Sequence, residues 1–272
     1  MDIFWIRIDK LKYNEFLTKI LSSKEQNIIF TPNPEILLKV RRDDEFRNIL
    51  SKATYLLPDW IWLYIAFQVI DNNYWKLVNF LLIPYYFFNL FFRKKYLYLK
   101  YWDRICGSDL TRDLIEYANK NSKIVNIVDL FNPTDLKKVA SQNLMKLKLK
   151  EKYPNAIFNI YIYREEKKNE IISNIKDNWW EILLTTLWMK YQEQVLLDVI
   201  KYCNNIKIWA WIWSSIDYLI WFQKRAPKLW SKLWLEWLYR LITWPRKIDR
   251  IKRIYNAIFV FIFTVLINKN ND

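Results

Sequence analysis

The chain has 272 residues and carries 43 Lys and Arg against 28 Asp and Glu, a formal charge of +15. Hydrophobic residues make up 53%, which excludes global disorder, and the length suits one large domain or a domain with an appendage. Histidine is absent, which excludes an imidazole base or ligand; Cys106 and Cys203 form no CxxC pair, so no zinc site or disulfide framework is expected and the chain reads as cytosolic.

One Gly stands against 16 Trp. Ordinary usage, at roughly 7%, gives about 19 Gly in a chain this long. Tight turns need residues that tolerate positive φ, so one glycine can hardly serve all the loops of an α/β chain. The Trp residues also cluster in "PDWIW" at 58–62 and "WAWIWSS" at 209–215, each after an apolar strand-like run where glycine-rich turns normally sit. Some bacterial codes read UGA as glycine and others as tryptophan. The counts therefore point to glycine at many of these positions in the cellular protein; the alternative is a genuinely Trp-rich chain.

In chain order, strands are expected at Asp2–Ile8, Asn27–Thr31, Ala53–Leu57, Ile124–Leu130, Ala156–Tyr163, Glu181–Thr186 and Ile206–Trp211. Amphipathic helices are expected at Leu11–Ser22, Pro34–Leu50, Ser108–Asn119, Thr134–Lys152 (capped by Thr134), Glu170–Asp177 and Gln192–Tyr202. The alternation predicts an α/β fold, a Rossmann-like, mostly parallel sheet flanked by helices, with ligands at the carboxyl ends of its strands.

Two regions break the alternation. Leu77–Phe92 is apolar and aromatic and is followed by Arg93, Lys94 and Lys95. From Lys224 onward the chain is basic and aromatic and closes on the apolar run Ala257–Ile267. Both runs fall short of the roughly 20 residues that span a bilayer. Apolar stretches beside cations suit docking on an anionic membrane; a buried helix with a solvated basic face is the alternative. No cleavable signal peptide is read at the start, where Asp2, Arg7 and Asp9 interrupt the apolar residues. The expected division is a core over 1–223, interrupted by an apolar insertion at about 71–101, and a membrane-docking appendage over 224–272.

Without His, acid–base work falls to a carboxylate, Tyr, Lys or Cys. Asp59 follows a strand and precedes a helix-like run, the place for a catalytic carboxylate or for a helix cap. Thr31 ends a strand in the same way, as a pocket residue or an ordinary turn residue. With glycine in place of Trp, 209–215 becomes "GAGIGSS", a strand-to-helix turn whose amides can approach phosphate. As written, Trp209, Trp211 and Trp213 crowd that approach. Gln192 and Glu193 stand at a helix start, where they can also bind backbone amides.

Taken together, these motifs resemble the WecG/TagA/CpsF glycosyltransferases. "TPNPEILLKVRRDDEFRNIL" at 31–50 and "LPDWIW" at 57–62 resemble the family's opening signature, TPNPE followed by PDG-x-G, with Trp60 and Trp62 at its two glycines. "GSDLT" at 107–111, "YPNA" at 153–156 and "ILLTTLWMKYQEQ" at 182–194, with Trp188 at a glycine, resemble further blocks. In "WIWSSIDYLIWFQKRAPKLWSKLWLEWLYRL" at 211–241, Trp211, Trp213, Trp221 and Trp234 fall on usual glycines, whereas Trp237 falls on a genuine Trp; Trp5 also sits where glycine is common.

The resemblance implies an inverting, metal-independent hexosyltransferase of bacterial cell-surface polysaccharide or teichoic-acid linkage-unit synthesis. It would move an N-acetylmannosamine-type sugar from a UDP-sugar to a polyprenyl-diphosphate-linked N-acetylglucosamine, with no cofactor. Asp59 would be the general base, and Thr31 and Asn33 would line its pocket. Ser108, Asp109, Gln192, Glu193 and Arg225 would contact substrate, while Arg240, Arg246, Lys247 and Arg250 would neutralise diphosphate. Lys247 stands where Arg is usual, and "TTLWMKYQE" lacks the expected proline and first glycine. The implied location is the inner face of the cytoplasmic membrane, and a homo-oligomer stays open. The competing readings are a catalytically inactive membrane-associated relative, should the Trp residues be genuine and fill the donor site; a nucleic-acid-binding protein, which leaves the apolar tail unexplained; and an integral membrane protein.

Overall fold

The computed structural model describes residues 1–72, 74–130, 136–176, 182–186, 195, 197–199, 201–203, 206–212, 215–220, 226–227, 229–230, 235–243 and 247–268. Its frame is a six-stranded sheet in the order β4-β3-β8-β7-β5-β6, in which every pairing is parallel. The strands are β3 (Asn27–Phe30), β4 (Tyr55–Leu56), β5 (Ile124–Leu130), β6 (Ile157–Tyr163), β7 (Ile182–Thr185) and β8 (Ile208–Trp211). β7 and β8 are buried along their whole length. Helices cover both faces of such a sheet, so its central strands read as unbroken apolar runs. The expected Rossmann-like α/β class holds.

Side-chain alternation splits the core in two. Ile208 and Ala210 face one side with Phe16 and Ile20 of α1 (Tyr13–Ser22), Leu110 and Leu114 of α8 (Gly107–Lys120) and Leu149 of α9 (Leu136–Lys152). Trp209 and Trp211 face the other side. There they meet α2 (Pro34–Val40), α3 (Asp44–Leu50), α4 (Leu63–Asp71), α6 (Ile83–Phe92) and α10 (Lys168–Lys176).

Three local differences from expectation have plain causes. The expected strand Asp2–Ile8 is a hairpin, β1 (Asp2–Ile3) against β2 (Ile6–Arg7), turned by Phe4 and Trp5 at φ 52° and 62°. The expected helix Pro34–Leu50 divides into α2 and α3. Asp43 is extended there, and its carboxylate accepts the Phe46 amide 2.9 Å away, starting a second helix. The Thr134 cap lies outside the described residues.

Within the expected insertion lie α5 (Lys76–Leu81), α6 and α7 (Lys94–Tyr101). A buried polar network fastens α5 and α6 to α4. Asn89 Nδ2 donates to Gln68 Oε1 at 2.8 Å, Asn72 Nδ2 to the Tyr86 hydroxyl at 2.8 Å, and that hydroxyl to Asn79 Oδ1 at 2.6 Å. Among the described residues of the C-terminal stretch, α11 (Ser215–Leu219) is followed by α12 (Glu236–Thr243) and α13 (Lys247–Tyr255). A π-helical turn, Asn256–Val260, leads into α14 (Phe261–Asn268). α14 packs on α2, α4 and α5, and Phe261 meets Phe4 edge-on. The run Ala257–Ile267, too short by sequence to span a membrane, is part of a longer helix. Ile251–Asn268 is long and apolar enough to cross one by length and composition, with a third of it buried.

Candidate active site

The carboxyl ends of β3 and β4 lie side by side, and the backbone pairing continues as Leu57 N–H donates to the Phe30 carbonyl at 2.9 Å. Thr31 and Asp59 follow these ends. Thr31 is fully buried, and its hydroxyl has no hydrogen-bond partner. An unpaired buried hydroxyl carries a desolvation cost, which a ligand accepting or donating there would remove. Thr31 is not the helix cap: the next helix is capped by Asn33, whose Oδ1 accepts the Ile36 amide at 3.0 Å.

The start of α8 closes over Thr31. A Cβ on Gly107 would stand 3.6 Å from Thr31 Oγ1 and 3.8 Å from Ser215 Oγ. The first turn of this 14-residue helix thus lies against two hydroxyls at the sheet's carboxyl edge. Its amides and dipole favour an anion. Ser108 is half-buried in this turn. Asp109 pairs with Arg112 of the same helix at 3.2 Å.

Asp59 is half-buried. The cap alternative does not hold, because α4 starts at Leu63 with Trp62 in the N-cap position and without a side-chain cap bond. Pro58 O accepts the Ile105 amide at 3.0 Å, which brings the 104–107 approach to α8 beside Asp59. There the sequence reading missed a residue, Arg104. Burial opposes its charge, but Cys106, Asp59, Glu236 and Tyr98 outweigh burial and hold the guanidinium above its usual value. Burial pushes the Cys106 thiol well up; Arg104 acts against this, and Asp59, Glu236 and Asp109 add to it. That thiol stays protonated and is no nucleophile. Burial and the neighbouring Arg104 charge both lower Lys94. The signal for Arg104 was its place three residues before Gly107 in "RICGSDL".

α12 packs against the turn after β4. Glu236 is buried, and the Trp237 ring lies 5.5 Å from Trp62, which also touches Phe87 at 5.8 Å. Trp62 and Trp211 are wholly buried, with Trp211 edge-on to Phe30, while Trp60 is half-buried against the same core. Along the sheet edge the Thr185 hydroxyl is also buried without a hydrogen bond, and Thr186 Oγ1 donates to Asp129.

The structure thus gathers Thr31, Asn33, Asp59, Ser108, Asp109, Trp60 and Trp62 at one edge, with Arg104 and Glu236 added. Gln192, Glu193, Arg225, Arg246, Trp188, Trp213, Trp221 and Trp234 lie outside the described residues. Arg240, Lys247 and Arg250 lie on α12 and α13, whose backbone alone is described at those positions.

The chain matches the family model described as the glycosyl transferase WecG/TagA/CpsF family over residues 1–84 and 89–272, nearly its whole length. A parallel α/β sheet with its polar, anion-favouring edge at the strand ends, and a family match of this extent, place the chain in the WecG/TagA/CpsF family of glycosyltransferases.

Proposed function

We propose that the chain transfers an N-acetylmannosamine-type sugar from a UDP-sugar to a polyprenyl-diphosphate-linked N-acetylglucosamine, inverting the anomeric centre without a metal. The observation that carries this reading is the Ile105–Pro58 hydrogen bond, which brings the Asp59 turn to the 104–107 approach beside the unpartnered Thr31 hydroxyl and the start of α8. Asp59 takes the proton of the acceptor hydroxyl as that oxygen attacks the anomeric carbon. The bond to the UDP phosphate oxygen breaks, and its electron pair leaves with UDP. The developing charge is met by amides of α8 and by Arg104, acting as fixed donors that need no reorganisation. Arg240, Arg246, Lys247 and Arg250 neutralise the acceptor diphosphate on an anionic inner leaflet, in line with the +15 charge. The test is incubation of the protein from its own cells with UDP-N-acetylmannosamine and lipid-linked N-acetylglucosamine. The reading expects a β-linked disaccharide-lipid from an α-linked donor; release of free sugar alone, or no product, contradicts it.

The same reading holds that many of these Trp positions are UGA codons read as glycine in the cell. Two backbone conformations support it. Phe4 and Trp5 form a two-residue hairpin turn with positive φ at both positions, the type I′ geometry that favours Gly second. Trp102, at the end of α7, has φ 66° and ψ −171°, a region essentially confined to glycine. Gly107, the one glycine, has no positive φ. Peptide mass spectrometry of the native protein over 57–64 and 206–222 is expected to show glycine at 60, 62, 211 and 213. Tryptophan there favours the inactive, membrane-associated relative, since Trp62 and Trp211 are then fixed parts of the core.

A further inference from the structure

Most of the exposed large apolar side chains among the described residues belong to two segments. The first is 74–99, where Trp75 is 84% exposed, Leu99 77% and Phe92 75%, with Leu77, Leu81 and Phe88 also open to solvent. The second is the outer face of α13, the π-helical turn and α14, with Ile251, Phe259, Phe263 and Ile267. They adjoin: α5 packs on α14, and Lys76 Nζ donates to the Ile267 carbonyl. Soluble monomers rarely expose a continuous apolar surface of this kind without an occupant.

Charge selects that occupant. From 72 to 102 there is no Asp or Glu, while Lys76, Arg93, Lys94, Lys95 and Lys100 are present. From 250 to 271 there is likewise no acid, and Arg250, Lys252, Arg253 and Lys269 are present. Arg93 and Lys95 lie directly beside Phe92 and Tyr96, and the Arg93 guanidinium stacks 5.0 Å from the Tyr96 ring. Tyr74, Trp75, Tyr85 and Tyr96, all exposed, are the amphipathic aromatics that settle at headgroup depth. Length fixes the orientation. α6, the longest of the three helices, has 10 residues, about 15 Å at 1.5 Å per residue, against a hydrocarbon core of about 30 Å. The helices are broken at Leu82 and Arg93, so the segment lies in the interface and does not cross it.

We propose that residues 74–99 form a second bilayer-docking surface, seated in an anionic phospholipid leaflet beside the C-terminal helix. The Gln68–Asn89 and Asn72–Tyr86–Asn79 hydrogen bonds join this surface to α4, the helix that follows the Asp59 turn. Docking therefore sets the height of the candidate base above the leaflet. The inference rests on the transferase reading only in expecting a lipid-borne acceptor.

The test uses the full chain with Leu81→Cys carrying an environment-sensitive dye. Cys106 and Cys203 are buried, which directs the label to position 81. Lys146→Cys on α9, across the sheet, is the control. Vesicles of 30% phosphatidylglycerol in phosphatidylcholine are expected to shift the position-81 emission to the blue and leave position 146 unchanged, with a weaker shift on pure phosphatidylcholine. The combined Leu77→Ser, Leu81→Ser and Phe92→Ser variant, checked for its native circular dichroism, is expected to lose at least tenfold in vesicle affinity. Vesicle binding with no shift at 81 overturns the proposal. So does a shift that appears without vesicles and grows with protein concentration, which would make the face a contact between two copies. Tighter salt-sensitive binding to DNA than to vesicles overturns it too. Transfer to a short-chain, water-soluble acceptor is read separately, so a silent transferase and an undocked segment are distinct results.

Discussion

The indole of Trp62 lies against that of Trp237, ring centroids 5.5 Å apart, and so joins the turn after β4 to α12. Both indole N–H groups are buried without a hydrogen bond, each at a desolvation cost. With glycine at 62, the Trp237 ring would line an opening beside Asp59. Trp62→Gly is therefore expected to tighten UDP binding at least tenfold, about 1.4 kcal/mol, by titration calorimetry. Unchanged affinity would place the donor elsewhere.

The left-handed backbone at Trp5 costs roughly 1–2 kcal/mol in strain, and the Arg47 guanidinium 4.9 Å over its ring returns about 0.5–1 kcal/mol. The side chain is otherwise mostly exposed. The strain outweighs the cation–ring attraction, so Trp5→Gly is expected to stabilise the chain by about 1 kcal/mol in urea unfolding. Trp5→Ala keeps the Cβ clash and should not reproduce the gain. Equal effects of Gly and Ala would remove the conformational explanation.

The charges of Asp59 and Glu236 both act on the Arg104 guanidinium and hold it above its usual value. Its positive charge favours ionised Asp59, the form a general base requires. Arg104→Gln should therefore move the acid limb of the kcat/KM profile to higher pH and lower the plateau by about 10–100-fold. A lower plateau with an unmoved acid limb would assign Arg104 to phosphate alone.

Asp71 ties α4 to α7. Burial works to raise its pKa, but the Lys100 hydrogen bond and charge and the Tyr101 hydroxyl prevail and lower it. A lowered carboxylate pKa gives stability that is present above the unfolded value and lost as pH falls through the folded one. Asp71→Asn should thus destabilise the fold at pH 7 and match the parent at the acid end. The pair is about a third exposed, so the loss should be only about 0.5 kcal/mol. A difference that persists at acid pH would point to lost packing.

The sheet was legible because parallel strands are contiguous apolar runs, and each of its six strands lies where periodicity placed it. Asp2–Ile8 misled because a two-residue turn at Phe4 and Trp5 carries no glycine or asparagine to announce it. Pro34–Leu50 misled because its helical pattern runs through Asp43, whose cap divides it. At the site, Asp59 and Thr31 were marked by their strand-end positions. Arg104 was not, since a cation before a helix start is ordinary until the fold brings the charges of Asp59 and Glu236 to act on it. The apolar face of 74–99 was visible as composition, but its exposure emerged only once α4 and α14 had taken their own partners.

Whether Asp59 is the base is decided by Asp59→Asn in the glycine-bearing chain, with sugar transfer to lipid-linked acceptor and UDP-sugar affinity measured on the same preparation. Loss of a general base costs about 10²–10⁴-fold in turnover. A fall in kcat of that size is expected, with donor affinity kept within about twofold, since Asp59 serves the acceptor hydroxyl. Near-normal turnover in the variant would refute the assignment.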